Sequence, residues 1–160
     1  MDADRERPAS VHLHRGLALP TPYADRITES FELAAERCED LTPLVYERLF
    51  ADHPEMQPNF WRDTSGLIKG EMLARVIEAI FDFIDARRYA HHLIQCEVVT
   101  HAGYDVPPEV FATFFGTVAA TMRDVLGEAW SPAIDGAWTR LLTDLDYYVQ
   151  HPDQSQTAAA

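Results

Sequence analysis

Residues 93–115 read LIQCEVVTHAGYDVPPEVFATFF, and the reading of this stretch decides the fold. Leu93, Ile94, Glu97, Val98 and His101 step at intervals of three and four, the period of a helix, so His101 shares a face with Ile94 and Val98. A short corner containing Gly103 follows. Pro107-Pro108 then launches a second helix, in which Val110, Phe111, Phe114, Phe115 and Val118 keep the same period. A histidine at the end of an apolar face, followed by a turn and a Phe-rich helix, can hold a flat cofactor from one side. It can equally be a core histidine bonded to a carbonyl.

Outward from this pair, every segment reads as helix. Ile27, Phe31, Ala34 and Ala35 form one apolar stripe. Thr42 is a good N-cap with Pro43 behind it, and Leu44, Val45 and Leu49 continue. Pro54 and Pro58 in HPEMQPNFW permit at most a helical turn. Thr64 or Ser65 can cap a helix over 66–84, carrying Leu67, Met72, Leu73, Val76, Ile77, Ile80, Phe81 and Ile84. A helix over 87–100 leads to His101, and another spans 107–126. Ser131-Pro132 starts the last stripe of Ile134, Trp138, Leu141, Leu142, Leu145 and Val149. No run alternates at period two, so the chain is all-α, with about six substantial helices. The helices over 66–84 and 107–126 are apolar around much of their circumference, and should bury against several neighbours or a large apolar ligand.

Residues 1–24, rich in Pro, His and charge, read as a flexible N-terminal extension, residues 25–151 as the helical domain and residues 152–160 as a tail. His12 and His14 read as incidental. The 160 residues are 47% hydrophobic, with eight Phe, six Tyr and three Trp, which is enough for a core of their own. A formal charge of −13 argues against nucleic acid and against anionic membranes. Cys38 and Cys96 form no CxxC and point to a reducing compartment. No stretch is apolar enough to enter a membrane, so the expected address is the cytoplasm.

Two motifs carry a family resemblance. YERLFADHPEMQPNF (Tyr46–Phe60) and, after a helix, THAGYDVPPEVF (Thr100–Phe111) resemble bacterial globins, both single-domain haemoglobins and the globin domain of flavohaemoglobins; Ala137-Trp138 in the last helix adds to the match. The resemblance covers residues 26–150. It implies a globin fold around one haem b (iron protoporphyrin IX). It makes His101 the proximal iron ligand, Tyr46 the distal tyrosine facing the gas, and Phe60 the phenylalanine packed on the porphyrin. Lys69 falls where a distal His or Gln usually stands, and Leu73, Val76 and Ile77 form the wall beside it. Val106, Phe111 and Phe114 would line the proximal side, with Val98 on the His101 face. The second nitrogen of His101 then needs a carbonyl one turn back, at Glu97 or Val98. Gly70 would let the second helix cross closely.

Three features depart from the pattern. Lys69 replaces an amide or imidazole, and could snorkel outward, pair with a propionate, donate to the gas, or ligate the iron. Phe111 stands where flavohaemoglobins carry a Tyr, and the last helix offers no Glu to back His101, only Asp144, Asp146 and Asp153. The chain has no room for a reductase domain. The expected function is reversible binding of a diatomic gas, O2 or NO, with nitric oxide dioxygenation through a separate reductase as its enzymatic form. The alternatives are a haem-based sensor acting through a protein partner and a haem-free globin-fold module.

Overall fold

The computed structural model describes residues 20–151, and the expectations for 1–19 and 152–160, His12 and His14 among them, lie outside these. Among the described residues there are six α-helices and no strand: α1 (Ala24–Ala35), α2 (Thr42–Asp52), α3 (Leu67–Ile84), α4 (Ala90–Ala102), α5 (Pro108–Leu126) and α6 (Pro132–Gln150). A 3-10 segment, Pro54–Phe60, fills the proline-rich corner after α2, and a shorter one, Gly127–Ala129, joins α5 to α6. None of these helices is long and apolar enough to cross a membrane.

The central element is α5, which packs against α1, α2, α4 and α6. This is what its wide apolar surface predicts, because a helix surrounded by neighbours has little polar face to show. Val118 and Met122 of α5 are fully buried, together with Ile27, Val45, Ile80 and Leu141 from four other helices. Each such side chain contributes about 1.5–3 kcal/mol of burial. The first turn of α3 departs from expectation: Leu67 and Ile68 are 71% and 51% exposed, although α3 packs against α2 and α4.

Helix starts are set by side-chain acceptors. Ser131 accepts from the Ile134 N–H at 3.2 Å, as its sequence position foretells. Of the other two expected caps, one fails and one is shared. Thr42 caps nothing; its own N–H donates to Asp40 at 2.9 Å. At α3 Ser65 accepts from the Leu67 N–H at 3.4 Å, and Asp63 adds the closer contacts, with Oδ1 and Oδ2 each 3.0 Å from the N–H groups of Ile68 and Lys69. A carboxylate has two oxygens to share between two orphan donors, and a hydroxyl has one. Helix α4 begins at Ala90 rather than at 87. Arg87 sits at φ +49, which breaks the helical run, and Asp82 accepts from the N–H groups of Tyr89 and Ala90, both at 2.9 Å.

The N-terminal boundary also shifts. Residues up to 24 were expected to be a mobile extension, yet Thr21 and Tyr23 are buried. The Thr21 N–H donates to the Ile84 carbonyl at 2.8 Å, and the Tyr23 hydroxyl donates to Asp144. The chain is therefore tied to α3 and α6 before α1 begins. Inside, Trp138 donates through its indole nitrogen to Ser30 at 3.0 Å, and Ser30 to the Ile27 carbonyl, pinning α6 to α1 through a fully buried hydroxyl.

Candidate functional site

His101 lies in the last turn of α4, where Val106 of the following corner donates its N–H to the His101 carbonyl at 3.0 Å. Its Nδ1 is 2.8 Å from the Glu97 carbonyl oxygen. A carbonyl can only accept, so Nδ1 carries the proton, and in the neutral ring Nε2 keeps its lone pair. The expected carbonyl one turn back is therefore that of Glu97. The Glu97 carboxylate adds a second contact, 3.5 Å from the same Nδ1. The glutamate that the last helix lacks thus has a counterpart on His101's own helix, four residues back. The aspartates of α6 are engaged elsewhere: Asp144 holds Tyr23, and Asp146 accepts from Gln150.

Phe111 packs its ring 5.1 Å from the His101 imidazole and meets Phe115 edge-on. Val98 is buried and lines a cleft of about 790 Å³ with Ala112, Phe115, Leu145 and Val149.

The second group gathers around Tyr46, which α2 carries inward to 2% exposure. Its ring meets Phe60 at 5.3 Å, Phe114 at 5.6 Å and Phe50 at 5.8 Å. Phe114 was expected on the proximal wall; α5 crosses α2 here and turns it onto Tyr46 instead. Helix α5 thereby joins the two groups: Phe111 touches His101 and Phe114, three residues on, touches Tyr46. Leu73 is buried, and Val76 and Ile77 pack half-buried against the core.

Lys69 turns to a partner that sequence reasoning missed. Its ammonium is 2.9 Å from Asp63 Oδ2 and 3.2 Å from the Asp63 carbonyl, and lies 5.7 Å over the Phe60 ring. The Asp63 side chain is 1% exposed and that of Lys69 21%. Burial by itself would raise the Asp63 pKa. The bonds from Lys69, through its N–H and its ammonium, and from the Ile68 N–H outweigh that, and hold the carboxyl below its usual range. Three adjacent candidates, Asp63, Thr64 and Ser65, precede α3, and only the spacing to Lys69, six residues on, hinted at which one also meets an ammonium.

The Tyr46 hydroxyl is buried and has no hydrogen-bond partner among the described residues. Such a group costs about 1–3 kcal/mol unless a ligand meets it. Burial, with the charge of Asp63 behind it, raises the phenol pKa, so Tyr46 remains a donor. Gly70 leaves room as well. A Cβ there would meet nothing within 4 Å, so the expected close crossing of α2 does not occur. Gly70→Ala should accordingly stabilise the haem-free chain by about 0.5–1 kcal/mol, through helix propensity alone. Urea denaturation would check this, and a loss of stability would show that the space is needed. A ring nitrogen with a free lone pair, a partnerless buried hydroxyl and phenylalanines linking the two are the donors and walls a haem requires, so the residues present fit that group.

The globin family model matches residues 44–147, from the first turn of α2 to the last turns of α6, and this span holds Tyr46, Phe60, Lys69, His101 and Phe111. Among curated proteins, none matches the chain. Globins typically bind haem and, through it, a small gas. With the match covering well over half of the sequence and the helices arranged as above, the chain belongs to the globin family.

Proposed function

We propose that the protein is a cytoplasmic globin that holds haem b through His101 and reversibly binds O2 or NO. The observation that carries this reading is the tautomer of His101: the Glu97 carbonyl at 2.8 Å fixes the proton on Nδ1 and leaves Nε2 as a ligand atom. Bound haem would supply the iron that takes up a diatomic gas.

The chain's own residues account for the rest. Glu97 orients the imidazole with its carbonyl, and its carboxylate makes the ring more electron-rich. Tyr46 offers a protonated hydroxyl to a partly negative gas ligand. Phe60, Leu73, Val76, Ile77 and Phe111 exclude water. Lys69, held by Asp63, contributes to the wall rather than to the gas. Nitric oxide dioxygenation, with electrons from a separate reductase, is the enzymatic form of this reading.

The test is titration of the purified chain with haemin. A stoichiometric complex with a sharp absorption band at about 400–430 nm is expected. A chain that stays colourless would overturn the reading.

A further inference from the structure

Lys69 is the single lysine of this chain; apart from the histidines, every other basic side chain is an arginine. Arginine keeps its proton in proteins and offers no lone pair, so among the cationic residues Lys69 alone could coordinate a metal. It sits one turn before the buried Leu73, with its ammonium over Phe60, whose ring in turn packs against Tyr46. A flexible amine is therefore placed beside the pocket that the proposed function assigns to the gas, where it would compete for the same iron position.

The structure restrains it. Asp63 accepts from the ammonium through both its carboxylate and its carbonyl, while the same carboxylate binds two N–H groups of α3. An ammonium held this way has no electron pair to offer. We infer that Asp63 is a positioning residue that keeps Lys69 off the iron, leaving the axial position vacant for gas. The carboxylate is nearly inaccessible and fixed at the helix start, so the amine cannot draw it along. This inference rests on the haem-binding reading.

The experiment uses the full chain reconstituted with haemin and reduced without added ligand. The parent protein should give a five-coordinate ferrous spectrum. Asp63→Asn, and separately Asp63→Ser, which keeps a capping hydroxyl should the first variant fold poorly, should give a six-coordinate low-spin spectrum in more than half of the molecules. Adding Lys69→Met to either should restore the five-coordinate form. In the haem-free chain, acylation of Lys69 by an amine-directed reagent, read by peptide mass, should run at least fivefold faster in both Asp63 variants. Variants that bind haem yet stay five-coordinate, or an unchanged acylation rate, overturn the inference and leave the haem reading intact. A parent protein already ligated by Lys69 also overturns it. Failure of every form to take up haem removes the reading beneath it.

Discussion

His101→Ala is expected to weaken haem retention at least a hundredfold, equivalent to about 2.8 kcal/mol or more. The argument is local. The side chain hangs from the last turn of α4 by one bond, Nδ1 to the Glu97 carbonyl, and its ring touches Phe111. Alanine removes the ligand nitrogen but keeps a good helix former at a partly exposed position, so the six helices should persist. Helicity by circular dichroism should match the parent, while the haem band is lost on desalting. Added imidazole should restore the band, because it fits the space vacated beside Phe111. A variant that holds haem as tightly as the parent would move the ligand elsewhere in the chain.

Tyr46→Phe should act in opposite directions on the empty and the loaded protein. Loss of the hydroxyl removes one hydrogen bond to the gas, so oxygen should dissociate roughly tenfold faster, about 1.4 kcal/mol. In the haem-free chain that hydroxyl is buried without a partner among the described residues. Its removal should stabilise the chain by about 1 kcal/mol and raise the unfolding midpoint by roughly 3 °C. Stopped-flow ligand displacement and a thermal melt read the two effects. An unchanged off-rate, or an empty chain that becomes less stable, would mean that Tyr46 finds a partner within the protein and has no role toward the gas.

The helices were legible because three- and four-residue spacing survives without any knowledge of neighbours. Ile27, Val45, Ile80, Val118 and Leu141 fall on their stripes and are all buried. The Ser131 cap was legible because proline follows it and no carboxylate stands two residues before it, whereas at Thr42, also followed by proline, Asp40 takes the contact. Asp63 was not: it precedes two equally plausible hydroxyls, and what singles it out is its simultaneous reach to Ile68, Lys69 and the Lys69 ammonium, which depends on how the corner folds. Glu97 was legible in principle. It stands four residues before His101, the helical spacing for contact, although the flavohaemoglobin resemblance points to the last helix for such a carboxylate. The misplacement of Phe114 came from treating one face of α5 as a single wall, when residues three apart on a central helix look toward different partners.

The Asp63 carboxylate works as a rivet through two plates, the opening of α3 and the amine of the chain's one lysine. Because its folded-state pKa is depressed, the stability it gives is in place above the ordinary carboxylate range and fades only as pH drops through the lower, folded value. Mild acidification therefore leaves the corner fastened. Stronger acid undoes both plates together, so helix fraying and release of the amine would arrive as a single event.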